Sequence, residues 1–152
     1  MSARKSFTPK QRLAVYGKTQ GHCAYCGQEI TIKQMQVDHI IAVGGANPTS
    51  ARNETENLFP ACRPCNYIKS TMSVEKFRQY IEFLPDTLCR NNVTYRNALR
   101  FGRVVEAVTP CVFYFEKIGL SVPTHILDSL YKERHDRFWN APDGAESEAD
   151  HE

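Results

Sequence analysis

Two Cys-x-x-Cys pairs, Cys23/Cys26 and Cys62/Cys65, constrain this 152-residue chain more than any other feature of its sequence. Each pair can present two sulfurs from one tight turn, and four thiolates complete the tetrahedral shell of a structural Zn²⁺ ion. The first residues have no apolar leader, so a disulfide framework is not expected. The sequence therefore predicts a structural zinc site of four cysteines, with redox pairs or buried free thiols as the alternatives.

The segment between the two pairs, residues 27–61, is longer than the roughly 15–20 residues of a simple zinc ribbon. It therefore contains inserted structure. Residues 35–41 alternate as a strand does, with Asp38 and His39 on opposite faces. Residues 57–60 predict a second, shorter strand, because a proline favours a strand end or a sheet edge.

The polar residues around these predicted strands suit phosphodiester hydrolysis. Neutral imidazole accepts a proton near pH 7, so His39 can act as a general base. Asp38 and Asn66 offer the hard oxygen ligands that Mg²⁺ and Mn²⁺ prefer. Pro64 predicts a helix start directly after Cys62, and that helix would carry Asn66 close to the zinc site.

The order of these residues resembles the HNH endonuclease family, and small phage or prophage members of it in particular. The resemblance covers about residues 22–70, through Cys23-x-x-Cys26, Val37-Asp38-His39-Ile40, Gly44-Gly45, Asn57-Leu58, Cys62-x-x-Cys65-Asn66 and Lys69. In that family a two-stranded hairpin and a helix, the ββα-metal fold, hold one catalytic divalent metal ion.

The resemblance implies a role for each matching residue. His39 would activate water, Asp38 and Asn66 would ligate the metal, Asn57 would fix the hairpin loop and orient His39, and Lys69 would lie near phosphate. The third family position holds Asn66 instead of histidine, which is the HNN subtype. An amide oxygen favours harder cations than imidazole does, so Mg²⁺ or Mn²⁺ is the expected catalytic metal.

The distribution of charge favours a polyanionic partner. The formal net charge is +2, but five acidic residues and no lysine or arginine follow Arg137, so residues 1–137 alone carry +7. Phosphate contacts give affinity without sequence information. DNA contacts are predicted at Arg63, Lys69, Lys76 and Arg78, with a simply solvated basic surface as the alternative.

The predicted fold class is α+β. Residues 1–72 would form a ββα-metal nuclease core with an N-terminal helix, capped by Thr8 and with Leu13 and Tyr16 on its apolar face. Residues 73–140 would form a mainly helical extension, and residues 141–152 an acidic disordered tail. The extension is expected to contain helices starting at Ser73, Thr94 and Pro123 and a core strand over residues 111–116, with Pro85 ending the first helix and Val105 facing inward.

Three functions remain open at this stage. The first is a DNA endonuclease, and the second is a zinc-stabilised DNA-binding module without catalysis. The third is a partner-dependent subunit of a DNA-processing complex, and the resemblance implies phage packaging or restriction proteins as partners. No apolar run approaches the roughly 18 residues of a membrane helix, so no membrane partner and a cytoplasmic location are expected.

Overall fold

The computed structural model describes residues 7–42, 54–107 and 109–124, which contain one small antiparallel sheet and six helices. The predicted mixture of helix and a small sheet is confirmed. In chain order the elements are α1 (Pro9–Gly17), β1 (Gln36–His39), a 3-10 turn (Thr55–Asn57), β2 (Leu58–Ala61), α2 (Arg63–Lys69), α3 (Val74–Glu82), α4 (Leu84–Asn91), α5 (Val93–Arg100) and α6 (Tyr114–Lys117). The helix predicted after Pro123 and the predicted acidic tail lie outside the described residues, as does the Gly44-Gly45 pair.

The sheet consists of β1 and β2, with Gln36 opposite Ala61 and His39 opposite Leu58. Every residue of β2 is buried. Pro60 is tolerated within β2 because a two-stranded sheet has only edge strands, and its carbonyl accepts a hydrogen bond from the Ala24 N–H at 2.8 Å. Helix α2 follows β2 in the chain and packs against β1.

Helix α1 begins as the sequence predicts. The Thr8 hydroxyl accepts from the Gln11 N–H, and the Gln11 side chain accepts from the Thr8 N–H, which forms a capping box. The predicted apolar face is only half correct. Tyr16 is half-buried, but Leu13 is 61% exposed and Val15 is the fully buried residue. Helix α1 packs against β2 and the turn before it, with Val15 and not Leu13 on its buried side.

Helix starts in the second half of the chain follow local capping chemistry. Ser73 caps α3 as predicted. Pro85 lies in the first turn of α4, where a missing N–H has no cost, so a new helix begins almost where the previous one ends. The prediction that Thr94 caps the next helix is wrong, because the Asn92 side chain caps α5. Val105 is 87% exposed instead of facing inward.

The strand predicted over residues 111–116 is also wrong, because a single helical turn, α6, occupies its second half. The N–H groups of Tyr114 and Phe115 donate to the carbonyls of Tyr25 and Ala24, at 3.0 and 2.8 Å. These bonds anchor the segment on the first cysteine turn without a partner strand. A high content of strand-forming residues therefore reflects burial here and not a sheet.

One aromatic cluster joins the two halves of the described chain. The Tyr25 ring packs edge-on against Phe59, Phe77 and Phe113, at centroid distances of 6.4, 5.3 and 5.4 Å. Phe113 and Phe115 are buried, as the sequence predicts for core residues. The division of the chain at residue 72 stays a prediction, but aromatic side chains from beyond it complete the core around the first cysteine turn.

Helices α4 and α5 contribute no buried residue to the core. They pack mainly on each other, and α4 also contacts α3. Throughout the described part of the chain, each helix is too short and too polar to cross a lipid bilayer.

Candidate functional site

The structure gathers the four predicted cysteines into one cluster. The Sγ atoms of Cys23, Cys26, Cys62 and Cys65 lie within 4.8 Å of one another. The Cys26 and Cys62 sulfurs are 3.8 Å apart, and a tetrahedron with Zn–S bonds of about 2.3 Å has edges of about 3.8 Å. The cluster can therefore hold a metal ion such as zinc.

The protonation chemistry of the cluster also suits a cation. A hydrogen bond from the Cys65 thiol lowers the pKa of Cys23 to about 5. Burial raises the pKa of Cys62 to about 11, and the hydrogen bond to Cys23 raises the pKa of Cys65. Cys23 therefore ionises readily, while Cys62 and Cys65 resist ionisation. A divalent cation among the sulfurs would favour the thiolate form of the ligands.

The first cysteine turn depends on a glycine. The Cys23 carbonyl accepts from the Gly27 N–H at 3.0 Å. Gly27 has a φ of +76°, and a Cβ there would lie 2.9 Å from the Tyr114 ring. Glycine alone meets both conditions, a left-handed backbone and a close aromatic neighbour.

Asp38 is the most constrained of the predicted catalytic residues. It is 4% exposed. Its Oδ2 accepts a hydrogen bond from the Tyr25 hydroxyl and lies 2.9 Å from the Lys69 Nζ. Burial raises the pKa of Asp38, and the Lys69 ammonium and the Tyr25 hydroxyl oppose that rise. Burial, followed by the charge of Asp38, raises the pKa of Tyr25, so Tyr25 stays a neutral hydrogen-bond donor.

Lys69 lies inside the protein, with no exposed surface. Besides pairing with Asp38, its Nζ donates to the His39 carbonyl at 2.8 Å. The resemblance implies that Lys69 lies near phosphate, and a DNA contact is predicted there, but the side chain is buried. The reason is electrostatic, because the buried carboxylate of Asp38 on β1 attracts the ammonium group of Lys69 on α2.

His39 and Asn57 lie on either side of the loop that connects the strands. His39, at the end of β1, is half-buried, and its ring centroid is 5.8 Å from that of Phe7. Asn57 is fully buried. Its Oδ1 accepts from the Ile41 N–H at 2.9 Å, and its Nδ2 donates to the Ile41 carbonyl at 3.2 Å. These bonds tie the two ends of the loop together, while orientation of His39 by Asn57 stays a prediction.

Asn66 is half-buried on α2, which begins directly after Cys62 of the cysteine cluster. Asn66 precedes Lys69 by three residues, and this spacing puts both on one face of the helix. Since Lys69 reaches β1, that face is directed toward the strand with Asp38 and His39. The structure thus places the predicted catalytic residues on three adjacent elements, namely β1, the turn before β2, and α2.

The predicted DNA contacts are of two kinds in the structure. Arg63 and Lys76 are exposed. Arg78 instead pairs with Glu116 at 2.6 Å and with Glu75 at 3.2 Å, and its guanidinium carbon lies 4.7 Å from the Phe113 ring centroid. Hydrogen bonds to the two glutamates raise the pKa of Arg78 further. Arg78 therefore joins α3 to α6, a different position from the free surface cation that the sequence predicts.

Sequence reasoning missed two residues that shape the site. Tyr25 lies within the first cysteine turn, where the sequence pattern indicates only a turn. The Lys18 Nζ donates to the carbonyls of Thr55 at 2.5 Å and Leu58 at 2.8 Å, and it supports the turn before β2. These contacts join residues far apart in the chain, so no local pattern could reveal them. The three-residue spacing of Asn66 and Lys69, by contrast, is visible in the sequence and indicates that both lie on one face of a helix.

Comparison with known proteins gives a family match and two similar proteins. Residues 23–71 match the family model of the HNH endonuclease. A CRISPR-associated endonuclease Cas9 from Corynebacterium diphtheriae is 43% identical over 47 residues, which is 31% of this chain and 4% of that protein. The crystal structure of the Type II-C Cas9 enzyme from Actinomyces naeslundii covers 51% of this chain and 9% of its own, with 28% identity and a TM-score of 0.42. The chain thus spans only a small part of these relatives, and its likeness to an HNH nuclease domain rests on residues 23–71.

Proposed function

We propose that this protein is a metal-dependent endonuclease of the HNN subtype that hydrolyses DNA phosphodiester bonds. One observation carries the proposal. Adjacent residues Asp38 and His39 lie on a two-stranded sheet, with the helix of Asn66 packed against it, inside the span that matches the HNH endonuclease model. The cysteine cluster at the start of that helix supports the same conclusion.

In the proposed mechanism, His39 takes a proton from the attacking water. Mg²⁺ or Mn²⁺, when bound, supplies positive charge for the phosphate and the leaving oxygen. The oxygens of Asp38 and Asn66 would hold that cation, since both are hard ligands. Asn57 keeps the ends of the loop between the strands closed, so that the residues at the end of β1 stay in place.

Arg63 and Lys76 are the remaining candidates for DNA phosphate contacts, because both are exposed. Such contacts would attach the protein to DNA with little sequence preference. Phage packaging or restriction proteins stay proposals as partners. A zinc-stabilised DNA-binding module is the second candidate, because the Asp38 carboxylate already has a buried cation, Lys69, beside it.

The test is cleavage of supercoiled plasmid with Mg²⁺ or Mn²⁺ by the wild type, His39→Ala and the control His22→Ala. His22 is also half-buried, but its Nδ1 contacts the carbonyls of Thr19 and Gln20 and not the proposed site. Loss of a general base should slow cleavage by about 100-fold or more. Zinc content and DNA affinity are measured for all three proteins.

The expected result is cleavage by the wild type and His22→Ala, with His39→Ala intact, zinc-loaded and nearly inactive. Equal cleavage by all three proteins would remove His39 from the mechanism. If none of them cuts and all bind DNA, the nuclease proposal fails and the binding module takes its place.

A further inference from the structure

We infer that Tyr25, the aromatic residue inside the first cysteine turn, is a positioning residue that holds Asp38 for the catalytic metal. This inference rests on the proposed function and adds a residue to it. Tyr25 is not expected to touch the metal, the water or the DNA. Its hydroxyl acts on the carboxylate of Asp38, with which it shares a buried hydrogen bond.

The inference begins with the two oxygens of the carboxylate. Tyr25 and Lys69 both reach Oδ2, and among the described residues no hydrogen bond or ion pair is recorded for Oδ1. A carboxylate whose one oxygen is held by two donors has its plane fixed. The other oxygen, Oδ1, is then the one that remains to ligate a cation.

The Tyr25 hydroxyl is itself held in place. Phe59, Phe77 and Phe113 enclose the ring, which is 3% exposed. The Tyr25 carbonyl is also bonded, since it accepts from the Tyr114 N–H at 3.0 Å. A ring with so little freedom presents its hydroxyl in one direction, so little entropy is lost when the hydrogen bond to Asp38 forms.

The two donors to Oδ2, Lys69 and Tyr25, have different roles. The Lys69 ammonium also binds the His39 carbonyl, so it balances charge and supports β1 as well. Tyr25 is neutral, and within the described part of the chain its hydroxyl bonds to Asp38 alone. Removing this hydroxyl therefore tests the orientation of the carboxylate while the buried ion pair remains intact.

The variant Tyr25→Phe removes one oxygen atom and keeps the packed ring. Tyr16→Phe is the matched control, because the Tyr16 hydroxyl donates to the Ile30 carbonyl at 2.9 Å and not to Asp38. Zinc content and circular dichroism establish that each protein is folded. Mn²⁺ binding is then measured directly by titration calorimetry, with Asp38→Ala as the reference for loss of the ligand.

Partners that orient a metal ligand typically change metal affinity by 10–100-fold when they are removed. We expect Tyr25→Phe to raise the Kd for Mn²⁺ by about 10-fold, with Tyr16→Phe within about two-fold of the wild type. Plasmid cleavage by Tyr25→Phe should need about 10-fold more Mn²⁺ and approach the wild-type rate at saturation. A merely structural role would lower the folded fraction without shifting this metal dependence.

An unchanged Kd for Mn²⁺ in folded, zinc-loaded Tyr25→Phe would overturn the role of Tyr25 while the nuclease proposal stood. A wild type that neither binds Mn²⁺ nor cuts DNA would overturn both. The two failures are distinguishable, because the first is seen in the variant and the second in the wild type.

Discussion

The buried ion pair between Asp38 and Lys69 gives the sharpest prediction about stability. The side chains are 5% and 0% exposed, and the Lys69 Nζ lies 2.9 Å from the carboxylate. At that distance, with an effective dielectric constant of about 20, the attraction is about 6 kcal/mol. Desolvation of both charges offsets much of this gain, so the intact pair adds little net stability.

Removing one charge is a different perturbation. Lys69→Met keeps a long apolar stem but leaves Asp38 buried without its cation, and such changes cost about 3–5 kcal/mol. Asp38→Asn should cost a similar amount, because it leaves the ammonium unpaired. The double variant Asp38→Asn/Lys69→Met has neither charge and should lie within about 1 kcal/mol of the wild type.

The assay is urea unfolding of all four proteins in a fixed excess of Zn²⁺ and without Mg²⁺ or Mn²⁺. With a urea m-value of about 1–3 kcal/mol/M, a loss of about 3–5 kcal/mol lowers the urea midpoint by about 1 M or more. The reasoning is refuted if Lys69→Met unfolds within 1 kcal/mol of the wild type. It is equally refuted if the double variant is as unstable as the sum of the two single variants, since the charges would then not be coupled.

Two further predictions concern the rest of the described chain. Cys62→Ser should lose zinc and most of its cooperative unfolding transition, because four ligands close the cluster. The control Cys89→Ser lies outside the cluster and should keep one zinc ion per chain in a metal assay. Equal zinc loss in both variants would contradict the assignment. Burial works against ionisation of Glu116, but hydrogen bonds from Arg78 and the Phe113 N–H outweigh it and lower the pKa of Glu116. Its stabilising contribution should therefore be present above the unfolded pKa of about 4.3 and be lost as pH falls through the lower folded value. Glu116→Gln should have a free energy of unfolding about 1 kcal/mol below that of the wild type at pH 7. This difference should shrink as the pH falls below about 4.3. A difference that grows as the pH falls would refute the lowered pKa of Glu116.

Much of the site could be predicted because its chemistry is local in sequence. Cys62, Cys65, Asn66 and Lys69 follow one another on a turn and a helix whose start Pro64 marks. The cysteine cluster, the two strands and the helix were predicted in this way. The resemblance implies that Asn57 fixes the hairpin loop, and in the structure its side chain bonds to the backbone of Ile41 at the other end of that loop.

The predictions that failed depend on tertiary contacts. Lys69 and Arg78 look alike in sequence as cations on helices, yet Lys69 is buried beside Asp38 and Arg78 pairs with Glu116. Residues 111–116 have the composition of a strand, but the N–H groups of Tyr114 and Phe115 donate to the carbonyls of Tyr25 and Ala24 and not to a neighbouring strand. Asp38, Glu116 and the two carbonyls cannot be identified as partners from one sequence, because each lies more than 30 residues away along the chain.

The hydrogen bonds from Tyr114 and Phe115 to the first cysteine turn span about 90 residues of sequence. During synthesis the amino-terminal part of a chain emerges first. The sulfurs of the cluster are all available once Cys65 has emerged, but Phe113 reaches the Tyr25 ring only much later. Under the proposed function, a nascent chain could therefore acquire zinc well before Tyr25, and through it Asp38, is fixed in place. Metal loading and completion of the proposed catalytic site would then be separate events in the synthesis of the chain.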